Sequence, residues 1–288
     1  MKFKFIEEIS DELPVDLACD FLKVSRSGYY AHHLRKPSRR TLENQSLTVL
    51  IHQLFEAGKN REGSPRITAA LKRLGHCVNK KRVERIMKIE KLVAKVPKRF
   101  KKTTDSDHPH PPSPNLLKHR GLPSEPNQIW VSDITYLWTD EGWLYLCVIL
   151  DLFSRKIVGW SLSENMKTEM VSSALRMAVM RRRPKTELLF HSDRGSQYAS
   201  EDFRKNLGSY KITQSMSAAG RCYDNAFAES FFHSFKTERV FGRQFYSRVE
   251  ARKEVFEYLE IYYNRSRLHS SLGYLTPVEF EEKIKQAA

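Results

Sequence analysis

Seven of the chain's twelve prolines fall between Pro97 and Pro126, in PKRFKKTTDSDHPHPPSPNLLKHRGLPSEP. Proline lacks a backbone donor and disfavours helix at the residue before it, so this stretch reads as an extended linker that no single helix or strand crosses. The chain must therefore fold as separate units on either side, and 288 residues suit about two domains. His108 and His110 alternate with the prolines, but no cysteine accompanies them, so the segment is a solvated linker and not a metal site.

The two sides differ in charge. Residues 1–120 hold 26 Lys and Arg against 13 Asp and Glu, while residues 121–288 hold 23 against 21, so most of the net +15 sits in the first part. Residues 61–102 are densest, with 15 basic and 3 acidic side chains. A localised positive field draws in a polyanion and releases its counterions, which makes nucleic acid the expected partner. No apolar run approaches the roughly 20 residues of a membrane helix, so no membrane partner is expected. The amino-terminal MKFKFIEEISDELPVD mixes acids with apolar residues and does not read as a signal peptide. Cys19, Cys77, Cys147 and Cys222 form no C-x-x-C pair, which argues against a zinc knuckle or a disulfide framework. A reduced, cytoplasmic setting is expected.

Before the linker the pattern is helical. RITAALKRLG places Ile67, Ala70, Leu71 and Leu74 at helical spacing, and Gly75 supplies a stop. Asn79 can cap a second helix, KKRVERIMKIEKL, with Val83, Ile86, Met87 and Ile89 to Leu92 on its buried side. Two short helices joined by GHCV suggest a helix-turn-helix at 61–96, after a helical region at 1–60. A recognition helix presents its first turn to DNA, so Lys80, Lys81, Arg82 and Arg85, with Arg66 from the first helix, are the expected DNA contacts.

After the linker, IWVSDITYLW, WLYLCVILDLF and KIVGWSLS are strand-like runs joined by short turns, which implies an antiparallel meander. An amphipathic helix over 167–182 follows, then the apolar strand ELLFHSD, the helical SEDFRKNLGSY and a strand around KITQSMS. A last helix opens near Asp224 or Asn225. The expected fold is α/β: a mixed sheet in the order βββαβαβα, the ribonuclease H-like arrangement, at 127–240. Residues 241–288 form a helical extension, in which Tyr262, Tyr263, Arg265 and Arg267 are candidates for DNA contact or for packing.

Three carboxylates stand out. Seven Asp–Glu pairs share the interval between Asp193 and Glu229, so that spacing selects nothing. Placement does. Asp133 sits mid-strand between Val131 and Ile134, where an unpaired charge is costly. Asp193 ends an apolar strand, where sites of α/β proteins gather. Glu229 lies on a helix beside a stripe of Phe227, Phe231 and Phe235, on a face shared with His233 and Lys236. Convergent carboxylates repel one another unless cations neutralise them, and hard oxygen ligands select Mg²⁺ or Mn²⁺. Asp151, near another strand end, is the rival, but the LFSR turn after it offers an ordinary structural role.

WVSDITY, LDLFSRKIVGW, HSDRGSQY, YDNAFAESFFHSFKTE and YNRSRLHSSLGYLTPVEF closely resemble the OrfB subunit of bacterial two-reading-frame insertion-sequence transposases, within the retroviral integrase-like DDE superfamily. GSPRITAALKRLG and VNKKRVERIMK resemble the helix-turn-helix that precedes the catalytic core there. The resemblance runs from about Val24 to Glu282. It puts the family's catalytic acids on Asp133, Asp193 and Glu229, and a phosphate-steadying base on Lys236. It implies a two-metal phosphoryl transfer, with two ions per site shared by Asp133 and completed by Asp193 and Glu229. Water cuts one strand at the element's end, and the exposed 3′-hydroxyl attacks a second phosphodiester without ATP. The implied partners are terminal-repeat and target DNA, an OrfA subunit or fusion, and further copies of the chain on DNA. Arg221 departs from the Asn or Gly expected before YDNA, and no amino-terminal His/Cys zinc module is present. Two non-enzyme readings stay open: a DNA-binding regulator with an inert core, and an assembly subunit inactive without OrfA.

Overall fold

The computed structural model describes residues 2–95, 111–185, 187–217 and 226–287. His108, His110, Arg221, Cys222 and the helix cap expected at Asp224 or Asn225 lie outside the described residues.

The amino-terminal part is all helical. Helices α1 (Lys2–Glu8), α2 (Val15–Phe21) and α3 (Arg26–His33) pack around Ile6, Ala18, Cys19 and Tyr29. A second core joins α4 (Arg39–Ala57), α5 (Ser64–Arg73) and α6 (Lys80–Ile89), with Leu47, Ile51 and Phe55 of α4 against Ile67, Leu71, Val83, Ile86 and Met87. The boundary expected at residue 61 therefore cuts through one apolar core. Each short helix has a single apolar face, and α4 supplies the third surface that closes it. Asn79 caps α6, its Oδ1 accepting from the Arg82 amide at 2.8 Å. That helix stops at Ile89, which is 68% exposed and does not join the buried side expected of it; Leu74, just past α5, is exposed as well.

Beyond the linker, β1 (Ile129–Thr139), β2 (Gly142–Asp151) and β3 (Ile157–Ser163) form the expected antiparallel meander. Then come α7 (Thr168–Arg182), β4 (Leu189–Ser192), the single turn α8 (Ser196–Ala199), α9 (Glu201–Ser209), β5 (Thr213–Met216) and α10 (Ala226–Phe235). The sheet order is β3-β2-β1-β4-β5, with β4 parallel to β1 and β5 parallel to β4. This is the ribonuclease H-like arrangement, with α8 as an unexpected extra turn.

Alternation along β1 divides the core. Ile129, Val131 and Leu137 face α10 and the carboxy-terminal helices, whereas Trp130 faces α7 and α9. Helix α10 runs on into a π-helical turn, Lys236–Val240. Helix α11 (Arg248–Phe256) does the same over Glu257–Tyr263, before α12 (Pro277–Ala287). Phe231 and Phe235 of the expected stripe are buried, meeting Tyr263 and Tyr258 edge-on at ring distances of 5.0 and 5.1 Å. Tyr262, Tyr263 and Arg267 are thus buried packing residues, and only Arg265 of that group is exposed.

Candidate active site

Asp133 is on the β1 face that looks toward α10, half-buried, with its Oδ1 accepting from the Ile134 amide at 2.8 Å. Asp193 follows the last residue of β4, and its Oδ1 accepts from the Gly195 amide at 3.0 Å. Glu229 is exposed in the first turn of α10. The three are electrostatically coupled. Burial pushes the Asp133 carboxyl up to about 8, and Asp193 and Glu229 push the same way, against the Ile134 amide and Lys236. Lys236, half-buried, has its Nζ 5.2 Å from the Tyr136 ring centre. Burial lowers its pKa, while Tyr136 and Asp133 pull it back up.

Such mutual repulsion is what a bound divalent cation relieves, and the donors are hard carboxylate oxygens of the kind Mg²⁺ and Mn²⁺ prefer. As they stand, no three His, Cys, Asp or Glu side chains among the described residues converge tightly enough to hold an ion. Two of the acids are anchored by backbone amides on or next to paired strands. Glu229, exposed on its helix, is the one with room to move.

Asp151 has a turn-fixing role. Its Oδ1 accepts from the Phe153 and Ser154 amides at 3.0 and 3.1 Å, and its Oδ2 accepts from the Asn127 amide at 2.7 Å.

The basic residues divide. Lys80, Lys81 and Arg85 are exposed at the start of α6. With Arg82, Arg39 and Arg40, Lys81 and Arg85 line a groove of about 610 Å³ that contains one acid, Glu43. Arg39 and Arg40 were missed because they open α4, outside the helix pair that the apolar spacing singles out. Arg82 is partly committed inside the unit, donating to Asn44 Oδ1 at 2.8 Å and to Glu43 at 3.2 Å. Arg66 is not on this face. Its Nη1 donates to Glu238 Oε1 at 2.9 Å, so its charge is spent tying α5 to the core. Glu238 also takes three bonds of 2.9–3.1 Å from Arg267 and one from the Tyr258 hydroxyl at 2.8 Å. Lys59 with Glu257, and Arg73 with Glu279, add ion pairs between the same two units.

Comparison with known families agrees with this layout. A model described as "HTH-like domain" matches residues 42–100, which takes in most of α4. Two models described as "Integrase core domain" match residues 123–222 and 210–277. Transposase InsF for insertion sequence IS3A, from Escherichia coli strain K12, is 42% identical over 285 residues, covering 98% of this chain and 99% of that protein. The IS600 31 kDa protein of Shigella sonnei is 40% identical over 270 residues, 94% of this chain and 99% of its own. Among solved structures, the HTLV-2 integrase catalytic core domain in complex with magnesium aligns at a TM-score of 0.40 and 18% identity, over 56% of this chain and 99% of that one. A helical DNA-binding-type unit, an integrase core and end-to-end similarity to InsF lead to one conclusion: the chain belongs to the IS3-family transposases of the DDE, retroviral integrase-like superfamily.

Proposed function

We propose that Asp133, Asp193 and Glu229 are the catalytic acids of this transposase, and that they hold two Mg²⁺ or Mn²⁺ ions for cutting the insertion sequence's ends and joining them to target DNA. The observation that supports this most is the register of parallel β1 and β4, which puts Asp133 and Asp193 each two residues beyond the Val131–His191 pair, with Glu229 acting on Asp133 from α10. Bound there, the ions would lower the pKa of the attacking hydroxyl and neutralise the leaving oxygen.

The chain's own residues do the positioning. Asp133, on the central strand β1, and Asp193, just past its neighbour β4 and held by the Gly195 amide, present carboxylates from the rigid middle of the sheet. Glu229, exposed on α10, would complete the set of carboxylates that hold the ions. Lys236, kept in place beside Tyr136, steadies a phosphate near the acids as a point charge. Lys80, Lys81 and Arg85, with Arg39, Arg40 and part of Arg82, grip the duplex backbone along the groove at the start of α6. Recognition of the terminal repeats falls to an OrfA subunit or fusion, and the active species is a multimer on DNA in the bacterial cytoplasm, at the nucleoid.

The test is a nicking assay on DNA carrying the element's ends, with Mg²⁺, with and without OrfA. Wild-type protein nicks at the ends, and Asp193→Asn binds the same DNA without nicking it. Nicking by Asp193→Asn at wild-type rates would remove these acids from the chemistry. Binding by the wild type with no nicking under either condition would favour the regulator.

A further inference from the structure

Arg155 sits in the turn between β2 and β3 with φ +60°, a left-handed backbone that asparagine or glycine adopts with less strain than arginine. Its guanidinium carbon lies 3.8 Å from the centre of the Phe227 ring, two residues before Glu229. Among the described residues its Nη1 is buried without a hydrogen-bond partner. Burial lowers the pKa of this guanidinium, and Tyr263 and Asp151 only partly offset that. An arginine kept in a strained turn, with a buried donor that bonds nothing, points to a ligand.

The surroundings say of what kind. Arg155 lines a cavity of about 690 Å³ between the start of α5 and the core, together with Arg61, Ser230, His233 and His269. Arg61 Nη2 and His269 Nε2 are also buried without a hydrogen-bond partner, although Arg61 has Glu257 at 3.8 Å. Burial and the nearby Arg267 and Arg66 bring His269 down to about 3, so its ring is neutral near pH 7. Arg267 Nη1 lies 3.3 Å from His269 Nδ1. Guanidinium only donates, so Nδ1 is the acceptor and the ring hydrogen is on Nε2. All three atoms are therefore donors, the His269 ring having only the Tyr263 backbone as a weak acceptor. Glu238, the one acid of the cavity wall among the described residues, is already engaged by Arg66 and Arg267. Donors without acceptors suit an oxygen-rich anion. Because Ser230 and His233 of the same wall share α10 with Glu229, the anion belongs to whatever passes that acid.

We propose that Arg155, Arg61 and His269 form a pocket for a backbone phosphate of the DNA strand that runs past Glu229. The proposal rests on the transposase reading above. It gives the turn LFSR and the segment LHSS a shared role in holding DNA.

The test uses the full chain and three proteins: wild type, Arg155→Asn and Asp193→Asn. Melting temperature is measured, together with affinity for an end-bearing duplex and for an unrelated duplex across a salt series. Asparagine accepts the left-handed backbone, so Arg155→Asn should melt no lower than wild type. It should bind the end-bearing duplex roughly 10- to 100-fold more weakly, as expected for a lost hydrogen bond to a charged group. The slope of log affinity against log salt should shrink by about one. A loss confined to the end-bearing duplex assigns the phosphate to the element's end, and an equal loss on both duplexes assigns it to any strand in the groove. Unchanged affinity and slope would mean that water satisfies the donors and would overturn the proposal. So would a lower melting temperature with an unchanged slope. If Asp193→Asn still cleaves, the transposase site is wrong; if it is inactive and Arg155→Asn binds like wild type, only the phosphate pocket is.

Discussion

Asp133 and Asp193 each stand two residues beyond a paired couple, Val131 and His191, on the parallel strands β1 and β4. That register sets the two acids side by side where β4 ends against the middle of β1. A slip of one residue in β1 would turn Asp133 toward α7 and dissolve the site.

The first consequence is a pH effect in metal-free protein. With its carboxyl near 8, folded Asp133 keeps a proton that the unfolded chain releases near pH 4. This contribution to stability is complete below about pH 4 and is lost as pH rises toward 8. Asp133→Asn should therefore raise the melting temperature in EDTA, with a gain that grows from pH 5 to pH 8. Removing a buried charge that two other acids crowd and Lys236 only partly offsets is worth about 1–3 kcal/mol. Scanning fluorimetry at both pH values checks it; a gain independent of pH would contradict the coupling.

Glu238 titrates in the opposite sense. Burial alone would raise its carboxyl, but Arg267 and Arg66 bring it below the usual range. Its contribution is thus complete above the ordinary carboxylate pKa and is lost as pH falls through the lowered folded value. Glu238→Gln leaves two guanidinium groups short of their counter-charge and should cost about 3–5 kcal/mol in urea unfolding near pH 7.

Between β3 and α7 there is no room for a side chain. A Cβ on Gly159 would lie 2.4 Å from the Ala174 carbonyl oxygen and 2.8 Å from the Ala178 Cβ. Gly159→Ala should cost about 1–3 kcal/mol as the helix is pushed off the sheet, measurable as a lower urea midpoint.

Asn264 protects an edge. Its Oδ1 accepts from the Ile157 amide at 2.9 Å and its Nδ2 donates to the Ile157 carbonyl at 3.0 Å, pairing the backbone of the first residue of edge strand β3. Asn264→Ala leaves both backbone groups unpaired, for a loss of about 1–3 kcal/mol. Hydrogen exchange at the Ile157 amide should quicken more than exchange in β1.

The order of strands and helices was legible because β-branched alternation and apolar spacing are local signals. The position of Asp133 inside a strand was legible for a related reason: β-branched and aromatic residues flank it on both sides. Non-local partnerships were not. Arg66 looks like any other basic residue of its helix until Glu238, 172 residues away, is placed beside it. The same holds for α4, whose apolar face does not say which helices it covers. Arg155 passed as a turn residue because its left-handed backbone and its stacking on Phe227 exist only in the folded chain.

The most direct measurement is anomalous diffraction at the manganese absorption edge, from crystals of the full chain grown with Mn²⁺ and end-bearing DNA. Two peaks between the carboxyl groups of Asp133, Asp193 and Glu229 are expected, with Asp133 touching both. Manganese bound elsewhere, or a Glu229 carboxylate turned away from any ion while DNA is in place, would contradict the account.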